Sequence, residues 1–169
     1  MNTLETLLTR RSVRSYTDKS VSKEIIDKLL EVAFSAPSAG NQQPWHFVII
    51  DDKEIIKQIP AFHSHSKFII NANKVILVCG DLNLEKLKGY WMVDCAAATQ
   101  NILLAARELG LGACWLGVYP REERMIRVKK IINLPDNIIP FSLVSLGYTN
   151  EKQIAEDRRK EDRIHHNKW

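Results

Sequence analysis

The run Lys74-Val-Ile-Leu-Val-Cys79 is apolar at five successive positions before Gly80-Asp81 ends it. A strand turns successive side chains to opposite faces, so an apolar run without polar interruption has to be covered on both faces. The chain is therefore expected to build a sheet with helices on each side. Other segments supply the matching pieces. His46-Phe-Val-Ile-Ile50 reads as a strand between Pro44 and Asp51-Asp52, Ala113–Val118 as a third, and Ile139–Leu146 as a fourth, broken by Pro140 near its start. Leu4, Leu7 and Leu8 stand at i, i+3, i+4, the spacing of a short helix with one buried stripe. Ser22 is placed to cap a second helix with Glu24 in its first turn. Ile25, Ile26, Leu29, Leu30 and Ala33 form the apolar face of that helix, and Pro37 stops it. A short helix starts at Asp52-Lys53-Glu54, runs to Ile59 and halts at Pro60. A long one spans Tyr90–Leu109 with Gly110 at C′, and Pro120 opens a further helix through Lys130. In the long helix, Ala96-Ala97-Ala98 and Ala105-Ala106 let another helix approach closely, in a second copy or in the chain's own core. Residues 61–73 show no readable pattern.

A chain of 169 residues with 45% hydrophobic and 26% charged residues fits one globular domain, 1–169. No amino-terminal stretch has the pattern of a secretory signal, and the longest apolar runs, around Val75–Cys79 and Ile138–Leu146, are too short to span a bilayer. A cytoplasmic protein without membrane contact is expected. Cys79, Cys95 and Cys114 are odd in number, form no CxxC pair and read as buried free thiols. The five histidines, including His63-Ser-His65, have no partners at metal-ligand spacing, so no metal is expected. The net charge of +4 gathers largely in Arg10–Arg14 and Arg121–Lys130. A basic nucleic-acid binder is one reading, although no helix-turn-helix, RRM or zinc-finger pattern is present. A small anionic ligand explains the first cluster equally well.

Four segments carry chemistry. Arg10-Arg11-Ser12-Val13-Arg14 groups three guanidiniums within five residues at a helix exit, where they either decorate the surface or hold a planar anion or phosphate. Pro37-Ser38-Ala39-Gly40-Asn41-Gln42-Gln43-Pro44-Trp45 presents short amides and a hydroxyl on a loop between prolines, or merely ends a helix. Gly110-Leu111-Gly112-Ala113-Cys114-Trp115-Leu116-Gly117 either admits a ligand to its backbone or uses its glycines for capping and packing. The tail closes on Arg163-Ile-His-His-Asn-Lys168-Trp169, either frayed or docked.

Together these segments resemble the nitroreductase family of FMN-dependent oxidoreductases, over nearly the whole chain. The resemblance implies an α+β fold, a three-layer α/β/α sandwich whose central, mostly antiparallel sheet is flanked by helices. It implies a homodimer with FMN at the interface and a tail, 149–169, that docks on the partner subunit. Arg10 and Ser12 are then expected at the FMN phosphate with Arg11 beside them, and Arg14 at the N1/O2 edge of the ring. Pro37, Ser38, Ala39, Asn41 and Gln43 would reach the flavin of the neighbouring subunit. Lys67 would approach the ribityl chain and ring, the backbone of Leu116 and Gly117 would approach N5, and Lys168, with Arg163 as a weaker match, would return to the phosphate. No side chain is expected to act as a catalytic group, because flavin N5 carries the redox step. The implied reaction is ping-pong, from NAD(P)H to a small conjugated acceptor such as a nitroaromatic or a quinone. Only Asp81–Gly89 is free to host an insertion, which implies a small or open substrate pocket. The alternative within the same fold is a flavin-binding protein with a non-reductase role, a sensor or a specialised flavin-consuming enzyme.

Overall fold

A computed structural model describes residues 2–169. The apolar run lies in strand β2 (Lys74–Asp81), which is buried at every position from Val75 to Gly80. β2 sits between β1 (Trp45–Ile50) and β4 (Ile138–Tyr148), and β3 (Leu111–Gly117) pairs with the far side of β4. The order is β1-β2-β4-β3 and every pairing is antiparallel. Pro140 does not break the last strand. The register slips between Val78 and Cys79, whose partners are Ser142 and Pro140, so Phe141 is an extra residue in β4. A bulge of this kind tolerates a residue that has no N–H to donate.

Helices cover both faces, as the buried strand requires. On one side α2 (Lys23–Phe34) and α4 (Trp91–Glu108) bring Ile26, Leu29, Ala33, Cys95 and Ile102 against Ile76, Val78 and Val144. Ala98 and Ala106 are fully buried here, so the alanine flank of α4 serves the chain's own core. On the other side lie α3 (Lys53–Ile56), α5 (Glu122–Ile132) and 3-10 turns at Ile59–Ala61 and Lys67–Asn71. Their Ile56, Ile59, Ile69 and Val128 pack on Val75, Leu77, Cys79 and Leu143. Residues 61–73 matched neither the helical nor the strand period because much of that stretch forms turns of the tighter 3-10 kind.

Several boundaries differ from expectation. Pro60 sits inside a 3-10 turn, beyond the end of α3. Pro120 follows a cis peptide bond and precedes α5, whose N-cap is Arg121. Ser22 occupies the N-cap of α2, although its hydroxyl makes no capping bond. Gly110 is at C′ of α4 with φ 77°. The largest correction concerns α1 (Thr3–Thr9), where Leu4 and Leu8 are 70% and 62% exposed. The residue it buries is Thr6, whose hydroxyl donates to Glu108 on α4 at 2.6 Å. The three cysteines are free and buried. Among the described residues no helix is long and apolar enough to cross a membrane.

The antiparallel register gathers the start of β1, the end of β2, the start of β4 and the end of β3 at one end of the sheet. β1 and β3 are its opposite edges. Three interstrand spacings separate them, about 14 Å.

Candidate functional site

The site grows from the outer edge of β3. After α1 the chain runs beside that strand: Val13 N–H donates to the Ala113 carbonyl at 2.9 Å, within an isolated parallel bridge between Ser12 and Ala113. Two close approaches lock it down. A Cβ on Gly112 would lie 2.5 Å from Val13 Cγ1, and one on Gly147 would lie 2.8 Å from the Tyr16 ring, so the bare backbone of β3 and β4 is what lets these side chains lie flat. Tyr16 Oη donates to the Val13 carbonyl at 2.9 Å and meets Ser145 Oγ at 2.7 Å. Burial then pushes the Tyr16 phenol well above its usual pKa, so it is a neutral structural peg.

With its backbone pinned, the segment presents cations. Burial first, and then the neighbouring Arg11 and Arg158 guanidiniums, hold Arg10 below its ordinary pKa. Ser12, Arg10 and Arg14 all act on the Cys114 thiol, which burial nonetheless pushes upward. Arg14 lies over the Phe68 ring, 5.8 Å from its centroid, so the neighbouring Lys67 at the start of a 3-10 turn belongs to the same rim. Arg11 is placed differently from its neighbours. Its Nη1 donates to the carbonyls of Leu8 and Arg10 at 3.0 and 2.7 Å, closing the end of α1. Its Nε lies 3.6 Å from Glu156, and its buried Nε and Nη2 have no hydrogen-bond acceptor.

Further along β3 the backbone takes over. Because Ala113 turns its carbonyl to the outer edge, alternation turns the N–H and C=O of Trp115 and Gly117 the same way, away from β4. Leu116 has its side chain in the core and, by the same alternation, its N–H and C=O toward β4, which leaves Gly117 as the residue whose backbone can meet a ligand. Where a Gly117 Cβ would stand there is open space.

The second loop lies at the opposite edge. Asp94, 3% exposed on α4, accepts from Ala39 N–H at 2.9 Å and from Gln42 Nε2 at 2.7 Å. Gln42 Oε1 in turn accepts from the amides of Lys86 and Leu87. Ser38 Oγ accepts from Gln43 N–H at 3.0 Å, closing the loop on itself. Gly40, Asn41 and Gln43 have φ of 54°, 53° and 47°, a left-handed arch that leaves Pro37, Asn41 and Gln43 exposed. The buried anchors Asp94 and Gln42 were missed in the sequence. A single carboxylate inside the apolar stretch Trp91-Met-Val-Asp-Cys-Ala96 was the available signal.

The structure thus brings Arg10, Ser12, Arg14, Lys67, Leu116 and Gly117 to one edge and Pro37, Ser38, Ala39, Asn41 and Gln43 to the other. Within one chain the two groups stand on either side of the whole sheet. Lys168 lies in the exposed tail, where its N–H donates to the His166 carbonyl. A nearer part of the tail crosses the arginines instead: Gln153 Oε1 accepts from Arg11 N–H, and Glu156 faces Arg11. Tested against an FMN phosphate, the first edge fits. It offers Arg10 and Arg14, neither with an ion-pair partner among the described residues, together with a serine hydroxyl and an outward-facing backbone, the donor set an anionic group with a conjugated ring requires.

Comparison with known proteins agrees. The model of the nitroreductase family matches residues 7–92 and, overlapping, 63–148. A protein of Archaeoglobus fulgidus provisionally named NADH dehydrogenase/NAD(P)H nitroreductase is 48% identical, covering 98% of each chain. The crystal structure of a protein with the same provisional name from Parabacteroides distasonis superposes with a TM-score of 0.94 at 40% identity, covering 99% of this chain and 98% of that one. An FMN-dependent nitroreductase from Clostridium difficile gives a TM-score of 0.90 at 29% identity, with 98% and 99% covered.

Proposed function

This chain belongs to the nitroreductase family, and from that premise we propose that it is an FMN-dependent NAD(P)H oxidoreductase working as a homodimer. The observation that carries the reading is the grouping of Arg10, Ser12 and Arg14 on the segment pinned along the outer edge of β3, the edge to which Gly117 also turns its backbone. FMN, when bound, supplies the redox chemistry, taking electrons from NAD(P)H and passing them to a small conjugated acceptor such as a nitroaromatic or a quinone.

The chain's own residues bind, orient and neutralise. Arg10 and Ser12 hold the phosphate, with Arg11 fixing the end of α1 beside them, and Lys168 adds a cation from the tail. Arg14, backed by Phe68, keeps a positive charge at the ring edge, where reduction accumulates negative charge. Lys67 supports the same rim. Leu116 anchors the strand end through its buried side chain, and Gly117 offers backbone rather than side chain, so the redox centre can come close without a clash. Pro37, Ser38, Ala39, Asn41 and Gln43 complete the pocket of the partner copy. The distance between the two edges of one sheet is what favours this exchange between subunits.

Purified protein titrated with FMN tests the reading. Binding should be accompanied by bleaching of the flavin absorbance on adding NADPH or NADH, and by turnover with a quinone or nitroaromatic. Protein that takes up no FMN contradicts it.

A further inference from the structure

The outward Gly117 carbonyl is held by Arg124, itself seated on His63, two groups to which no role falls above. Arg124 Nη1, on the first turns of α5, donates to the Gly117 carbonyl at 2.7 Å and contacts His63 Nε2 at 3.0 Å. A guanidinium has no acceptor, so Nε2 must accept, and neutral His63 keeps its proton on Nδ1. His63 is 5% exposed and its Nδ1 has no partner, so the ring is retained by its bond to Arg124 rather than by a full set of its own. The His63 carbonyl accepts from Ser66, both from its N–H at 3.0 Å and from its hydroxyl at 2.7 Å. Ser66 is fully buried and immediately precedes Lys67 and Phe68. One guanidinium therefore ties together two separate parts of the rim: the end of β3, and the turn bearing Lys67 and the Phe68 ring under Arg14.

We propose that Arg124, seated on His63, is a positioning residue that sets the Gly117–Val118 peptide and the Lys67 turn in register with each other, and so sets the approach of the bound flavin to its hydride donor. The proposal rests on the flavin reading above. Its physical content is that Gly117 has no side chain to hold it. Val118 N–H is fixed by the Phe141 carbonyl at 3.1 Å and the following turn by Arg121 N–H on the Val118 carbonyl at 2.9 Å. The Gly117 carbonyl is the other end of that same peptide plane, so without Arg124 the plane would be held at its N–H end alone. Alignment errors of about 1 Å can slow a reaction by about a hundredfold without much loss of binding.

The test compares the parent with Arg124→Met, Arg124→Lys and His63→Phe. In FMN-free protein, exchange of the Val118 amide should accelerate by about tenfold in Arg124→Met, because its peptide plane is loosened. In the loaded enzyme, stopped-flow reduction by NADPH should slow by about tenfold or more while the FMN dissociation constant changes by less than about threefold. Arg124→Lys, which keeps a cation and a donor, should recover most of the rate. If Arg124→Met does not fold, His63→Phe, which removes the second acceptor at similar volume, carries the same expectation of slower reduction at parental FMN affinity. Parental exchange and parental reduction rates in the variants that fold overturn the proposal. A parent chain that binds no FMN instead sinks the function reading itself, and this proposal with it.

Discussion

Arg14 is positioned by packing rather than by a carboxylate. Its nearest features are the Phe68 face and the Ser12 carbonyl at 3.4 Å, and the side chain is exposed. A guanidinium so placed adds little to stability but is available to an anion. Arg14→Ala should therefore weaken FMN binding by about 10- to 100-fold, the effect of losing a charge-assisted hydrogen bond, while leaving thermal unfolding nearly unchanged. Fluorescence titration beside a melting curve checks both halves. His63 gives the complementary case, a buried group whose charge matters to the fold. Burial first, and then the cationic Arg124 and nearby His65, hold its pKa below the ordinary 6.5. Between the folded value and 6.5 the unfolded chain binds more protons than the folded one, so stability rises with pH there. Its contribution is complete above about 6.5 and is lost as pH falls through the depressed folded value. Melting curves against pH should show this acid loss in the parent and a shallower slope in His63→Gln. Equal slopes would count against the neutral, accepting ring.

At the scale of elements, the arginine segment and the arched loop are each held by a polar peg, the half-buried Tyr16 and the buried Asp94. Replacing Asp94 by Ala removes the acceptor of Ala39 N–H and strands the buried Gln42 amide, at a cost of about 2–4 kcal/mol. Urea unfolding measures that cost, and faster exchange of the Ala39 amide would show that the loop is what loosens. These pegs also mark how far the sequence could be read. The four strands, the long helix and its Gly110 stop were legible because apolar runs and periodicity report burial directly. The segments bearing Arg10–Arg14, Ser38–Gln43 and Leu116–Gly117 were singled out through the family resemblance. Hidden from view were bonds between residues far apart in the chain, such as Asp94 with Gln42 or Arg124 with His63, since spacing along a sequence carries no record of them. The 3-10 turns of residues 61–73 and the bulge at Pro140 escaped for a local reason, having neither of the regular periods. The exposed leucines of α1 escaped for a global one. Their spacing predicts a covered face, and among the described residues of one chain that face stays largely exposed.

That uncovered face belongs to the scale of the whole molecule. Leu4 and Leu8 on α1, Val93 on α4 and Trp169 at the end of the tail are all exposed in one chain, and Trp169 stacks on His165, with ring centroids 4.4 Å apart. Large apolar groups left in water this way suit a surface that a second copy covers. The double variant Leu4→Glu, Leu8→Glu should sediment as a folded monomer with weakened FMN binding, whereas a parental dimer with parental affinity would remove α1 from the interface. The division of the binding groups between opposite sheet edges makes the stronger demand: Arg14 of one copy and Ser38 of the other must serve the same flavin. Co-expression of Arg14→Ala and Ser38→Ala chains measures this most directly. Each mixed dimer would hold one site with both defects and one with neither, so random pairing should return tight FMN binding to about one site in four, where neither variant alone shows any. If mixing restores no tight sites, both residues act on a flavin within the same chain, and the shared site is contradicted.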